Sequence, residues 1–137
     1  MPELHCIDGR LSWILYWVAR QQRVSLGRWG EWIALRYLLK QGWDVACRNW
    51  VSGKGELDLV AVDGAELVVV EVKTRNMHSC YSPEMNVTNE KRRRLETLGR
   101  RFRVQHEILE EPMRFDLVAI ETPDMRRYSL RHYKGIL

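Results

Sequence analysis

The sequence predicts an α/β fold, a mixed central sheet of about five strands flanked by helices. Three observations predict it. Two strongly apolar runs, GELDLVAV and ELVVVEVKTR, meet at Asp63-Gly64, a strong hairpin signal. Helical periodicity occupies one segment before this pair and one after it. Two more strand-like runs, RFDLVAIE and the stretch from Tyr128 to Tyr133, close the chain. The order α-β-β-β-α-β-β is that of a sheet with helices packed on it.

Taken in order, residues 1–24 read as an N-terminal extension with one short amphipathic helix, packing on the domain or on a second copy in a homodimer. The domain proper spans 25–137. Its first helix runs from about Ser25 to Gln41 and stops at Gly42, a residue suited to ending a helix. Trp43 to Trp50 reads as the first strand, Leu57–Val62 as the second and Leu67–Thr74 as the third. A helix covers roughly Thr88 to Val104, with Leu95, Leu98 and Phe102 on its core face. Arg114-Phe115-Asp116 opens a strand parallel to the core, in which Phe115 packs and Asp116 caps or pairs with an arginine.

A chain of 137 residues suits one domain with one real core, and 45% apolar with 29% charged residues describes a globular chain. The three cysteines, Cys6, Cys47 and Cys80, are widely spaced, and no Cys/His zinc spacing occurs. A reducing cytoplasm is the simplest compartment. The apolar run Leu11–Ala19 is far shorter than the roughly 20 residues a membrane span takes. It lacks a small-residue cleavage site, so neither a membrane association nor export is expected. The net charge of +4 is informative mainly through its distribution. Lys91, Arg92, Arg93, Arg94, Arg100, Arg101 and Arg103 crowd into one helix, a positive field suited to phosphates or, alternatively, a solvated face.

The chemistry is concentrated in Asp58, Glu71 and Lys73. Desolvating an isolated charge in a half-buried strand costs several kcal/mol unless it is paired or metal-bound. Alternation puts Glu71 and Lys73 on one face of their strand, with Val70 and Val72 on the other. Glu56 and Asp58 share a face of the preceding strand, opposite Leu57, Leu59 and Ala61. A two-residue loop at Asp63-Gly64 pairs Val62 with Ala65; a four-residue loop pairs Val62 with Leu67. Either brings Asp58 and Glu71 to one side, while an odd loop separates them. Two such carboxylates suit Mg²⁺ or Mn²⁺, which would acidify water and polarise a phosphodiester. The competing reading is a salt bridge of Glu71 with Lys73 or Arg75.

These segments, with Gly27-Arg28-Trp29-Gly30-Glu31, Arg48-Asn49, Lys91 and Arg114-Phe115-Asp116, resemble the PD-(D/E)xK superfamily of restriction-endonuclease-like proteins. The nearer likeness is to its YraN-like bacterial branch, similar to archaeal Holliday junction resolvases. The resemblance implies that Asp58 and Glu71 hold the metal with the Val72 carbonyl, that Lys73 is the catalytic lysine, and that Glu31 joins the site from the first helix. Glu31 is in register with Ala34, Leu35, Leu38 and Leu39, which would turn it inward. The alternative stripe through Trp29, Trp32, Ile33 and Tyr37 would leave it more exposed.

Lys91 would reach the edge of the site, and Arg92, Arg93, Arg100 and Arg103 would fan outward to grip DNA phosphates, with Arg75 beside them. The function implied is a metal-dependent DNA endonuclease, structure-specific for branched or damaged DNA. A non-catalytic nucleic-acid-binding accessory and a protein-interaction module are the alternatives.

Overall fold

A computed structural model of the chain describes residues 25–77 and 88–137; the expected N-terminal helix and the segment following Met77 lie outside these residues. Helix α1 spans Leu26–Lys40, strands β1, β2 and β3 span Asp44–Ser52, Gly55–Asp63 and Glu66–Asn76, helix α2 spans Asn89–Gln105, and β4 and β5 span Met113–Thr122 and Ser129–Tyr133. The five strands lie in sequence order across one sheet. β3 and β4 pair in parallel across the α2 crossover, and the other neighbours are antiparallel. The mixed α/β sheet expected from sequence is the architecture found.

Local chemistry sets the helix ends. The Ser25 and Thr88 hydroxyls accept from the N–H groups of Arg28 and Lys91, capping α1 and α2. At the other end of α1, Gly42 takes φ +81°. Its N–H donates to the Leu39 carbonyl, and that of Trp43 to the Leu38 carbonyl, satisfying two orphan carbonyls in a Schellman motif. Buried Trp43 then closes the motif against the core that contains Leu38.

Strand alternation divides the core in two. Val68, Val70 and Val72 pack beneath α1 with Trp29, Ile33, Ala34 and Leu38. Leu67 and Val69 face the other way, toward Leu95, Leu98 and Phe102 of α2. The result is a three-layer sandwich with one helix on each face. Phe115 packs in the α2-side core, as expected. The buried stripe of α1 differs from the inward one expected: Trp29, Ile33 and Tyr37 join Ala34 and Leu38, whereas Leu39 is 52% exposed. The arc carrying Trp29, Ile33 and Tyr37 with Ala34 and Leu38 takes the interior because it buries the greater apolar area. Trp32 remains on the surface, with the Arg48 guanidinium 5.1 Å from its ring centroid.

The hairpin between β2 and β3 pairs Val62 with Leu67 and Asp63 with Glu66, leaving Gly64-Ala65 as the turn. The turn is thus one residue later than Asp63-Gly64, because Gly64, at φ +63°, occupies the first central position, where a II′ turn needs a left-handed residue. The register is still an even one.

Candidate functional site

The β2–β3 ladder ends at Leu59↔Val70. One further step would pair Asp58 with Glu71, but there β2 leaves β3 and continues with β1 alone, through Trp50↔Leu57, Val51↔Glu56 and Ser52↔Gly55. Across from Asp58, Asn49 adopts φ +47°, a left-handed conformation that asparagine tolerates better than most residues. Beyond this point alternation no longer holds. Leu57 packs in the α2-side core with Trp50, while Leu59 and Ala61 pack beneath α1. The expectation that these three share a face is corrected by this bend.

Where the two strands part, Asp58 Oδ2 accepts from the Val72 N–H at 2.8 Å, taking over a donor that the ladder has released. The N–H and C=O of one strand residue face the same neighbour, so the Val72 carbonyl is turned to the same fork. Glu71 is buried, 9% exposed, on the α2 side. Its Oε1 is contacted by Lys91 Nζ from α2 and by Lys73 Nζ at 3.2 Å. The Glu71–Lys73 salt bridge of the competing reading therefore forms, joined by a second lysine.

From the other helix, Glu31 is half-buried and accepts from Asn49 Nδ2 at 2.9 Å, which also donates to Glu56 at 3.1 Å. Asn49 and Glu56 were not singled out for the site from sequence. An asparagine in a strand, opposite an aspartate, was the available signal. The fork thus lets side chains from both helices converge on one sheet edge.

Electrostatics mark the same place. Burial, and then the Glu71 carboxylate, push Asp58 up to about 7; the Val72 N–H opposes the rise, Glu31 adds to it and Lys73 opposes it. Burial pulls Lys73 down, but Lys91, Glu71 and Asp58 together hold it above the ordinary lysine value. Lys91 is pushed below that value, by burial first and by the neighbouring Lys73 against the pull of Glu71. No group of three or more His, Cys, Asp or Glu side chains forms a ready-made metal cage among the described residues. Mg²⁺ does not need one, since it commonly takes one or two carboxylates with water and substrate phosphate. A pair of hard oxygen donors in which one carboxylate raises the other's pKa fits a divalent cation.

A cleft of about 270 Å³ opens beside this pair, lined by Glu71, Lys73, Thr88, Glu90, Lys91 and Arg94. On α2, Arg92, Arg93 and Arg100 are exposed, as expected. Arg103 is not among the outward-fanning residues. It is half-buried and its Nε donates to the Ile108 carbonyl at 3.2 Å, because the chain leaving α2 folds back over it. Arg75 follows Lys73 by two residues in β3, is half-buried, and has a buried Nη1 without a hydrogen-bond partner among the described residues.

The fold and this forked site define a class: a small α/β domain with a carboxylate pair and lysines at a parted sheet edge. Comparison with known proteins makes the assignment specific. The profile of Uncharacterised protein family UPF0102 matches residues 30–120, and the chain belongs to that family. It is 36% identical over 114 residues to a UPF0102 protein of Renibacterium salmoninarum, covering 83% of this chain and 97% of that protein. A UPF0102 protein of Frankia alni is 36% identical over 118 residues, covering 86% and 98% of the two chains. One from Roseiflexus castenholzii is 40% identical over 100 residues, or 72% and 81%. The YraN-like resemblance is thereby borne out as family membership. Among the described residues no helix is long and apolar enough to cross a membrane.

Proposed function

We propose that the chain is a divalent-metal-dependent phosphodiesterase acting on DNA, with branched or damaged structures as its substrate class. The single observation that carries this reading is the convergence of Asp58 and Glu71 at the β2–β3 fork, with Lys73 against Glu71. The likeness to PD-(D/E)xK nucleases supports it. Asp58 and Glu71, with the Val72 carbonyl, would hold Mg²⁺ or Mn²⁺. Bound there, the cation would acidify a water and polarise the scissile phosphodiester.

The chain's own groups supply the rest. Lys73, held protonated, orients the attacking water and offsets charge on the pentacovalent phosphorus. Lys91, the more easily deprotonated of the two lysines, neutralises Glu71 until a cation or phosphate displaces it. Glu31, tethered through Asn49, adds negative charge beside Asp58.

The test is incubation of the protein with linear, flapped and four-way-junction DNA in Mg²⁺ or Mn²⁺, beside Asp58→Ala. Cleavage should fall by about 100-fold or more in the variant. Cleavage that survives the substitution would sink the site. A second reading, nucleic-acid binding without hydrolysis, draws on the same Glu71, whose carboxylate is already engaged by two lysines. Salt-sensitive binding by a wild-type protein that cleaves none of the three substrates would favour it.

A further inference from the structure

The carboxylate cleft has a neighbour. β1 and β2 turn back at Gly53-Lys54, beyond the point where β2 has left β3, and the turn approaches Leu98 and Arg101 of α2. Between that turn and α2 lies a second cleft of about 510 Å³, into which Lys54, Arg93, Arg94 and Arg101 contribute, over the buried side chain of Leu98. None of these four cations has an ion pair or side-chain hydrogen bond among the described residues. Uncompensated cations gathered over an apolar floor focus a positive potential, which is stronger there than on an open surface.

Position and chemistry identify the occupant. Arg94 lines both this cleft and the one holding Glu71, Lys73 and Lys91, so the two share a wall. From Lys91 to Arg101 is ten residues of one helix, roughly 15 Å at 1.5 Å per residue. That is the axial rise of about four base pairs at 3.4 Å each. Three of the four cations are arginines, whose planar forks match phosphate oxygens. Among the described residues no aromatic side chain lines the cleft, so its described lining is built for phosphates and not for base stacking.

We propose that this cleft is a backbone track, in which Lys54 from the β1–β2 turn and Arg93, Arg94 and Arg101 from α2 bind DNA phosphates a few nucleotides from the carboxylate site, without reading sequence. It deepens the phosphodiesterase reading and rests on it only for where the strand leads. Lys54 comes from a different element than the helix arginines, so the track clamps a strand between hairpin and helix.

The experiment measures binding of a labelled duplex of about 20 base pairs by fluorescence anisotropy in EDTA, across salt from about 25 to 200 mM. The double variant Lys54→Ala/Arg101→Ala removes two track cations and leaves the carboxylate cleft untouched. Its plot of log K against log salt should flatten by about 1.8, at about 0.9 per lost phosphate contact. The charge-matched control Arg28→Ala/Lys40→Ala, on exposed positions of α1, should leave the slope within about half a unit of wild type.

An unchanged slope in the track variant, no DNA binding by the wild type, or equal competition by poly-glutamate and unlabelled DNA overturns the track. Because no metal is present, the outcome is independent of hydrolysis. A flattened slope in a protein that cleaves nothing removes the phosphodiesterase reading and keeps the track, whereas cleavage with an unchanged slope does the reverse.

Discussion

Asp58 and Asp116 are both withdrawn from water, yet their pKa values move in opposite directions. Burial raises Asp58 to about 7 with help from Glu71 and Glu31. Burial also pushes Asp116 up, but hydrogen bonds from His132, Arg114 and the Gly135 N–H outweigh it and hold the carboxyl below the ordinary range. The consequences for stability have opposite signs. The folded chain keeps the Asp58 proton where the unfolded chain has lost it, so stability from this group falls as pH rises from about 4 through about 7. Asp116 stabilises the fold above the unfolded aspartate value, and that contribution is lost as pH falls through its depressed folded one. Asp58→Asn keeps an acceptor for Val72 and removes the charge. It should therefore stabilise the metal-free protein at pH 8 by an amount on the order of 2 kcal/mol, allowing for partial screening. That is a Tm rise of several degrees, shrinking toward pH 4. A difference independent of pH would show that Asp58 is not destabilised by its charge. Mg²⁺ should raise the wild-type Tm at pH 8 and leave that of the variant unmoved.

At the scale of elements, the approach of α1 to β3 is set by Gly30. A Cβ built there would lie 1.7 Å from the Thr74 hydroxyl oxygen and 2.8 Å from Thr74 Cβ. Only glycine lets the helix come this close to the strand that carries Glu71 and Lys73. Gly30→Ala is expected to destabilise the domain by about 1–3 kcal/mol through overpacking. Thr74→Ala alone should cost less than about 1 kcal/mol, because the buried Thr74 hydroxyl has no hydrogen-bond partner to lose among the described residues. Denaturant titration of the double variant should recover part of the Gly30→Ala loss. Equal losses with and without Thr74 would place the strain elsewhere.

Across the whole molecule, a polar network centred on β4 ties the strands to one another and to α1. Arg114 of β4 binds Asp116 (Nε to Oδ1, 2.9 Å), Asp63 (3.0 Å) and Glu66, joining β4 to the β2–β3 turn. His132 of β5 donates from Nε2 to Asp116 at 2.9 Å, and the Tyr37 hydroxyl of α1 lies 3.2 Å from its Nδ1. Through Arg114 and His132, one carboxylate thereby links five elements, α1 and β2 to β5. Asp116→Ala would take the acceptor from His132 Nε2 and leave Arg114 with Asp63 and Glu66 alone, and an equilibrium unfolding experiment should show a loss of about 1.5–3 kcal/mol. A loss under about 1 kcal/mol would mean that the network merely accompanies the packing.

The parts legible in sequence were those governed by local periodicity. Helix α1 with its Gly42 stop, the three-strand run, the arginine-rich α2 and the core side of Leu95, Leu98 and Phe102 all follow from spacing that each segment carries within itself. The even hairpin register was legible too, but it ends at Leu59↔Val70, one rung short of Asp58 and Glu71. The stripe of α1 that would be buried was not legible, because the Glu31 and Trp29 stripes face nearly opposite ways, both carry large apolar residues, and the choice depends on what the sheet offers beneath them. Nor was the fork. Strand alternation carries no signal that β2 would abandon β3 at Asp58, that Asn49 would turn left-handed opposite it, or that Arg103 would fold back on Ile108. Sequence by itself determined the elements and the identity of the charged groups, because backbone preference and periodicity act over a few residues. Only tertiary structure decided that Glu31, Asp58, Glu71 and Lys91 meet, because their meeting depends on two helices packing on opposite faces of a sheet that parts between them.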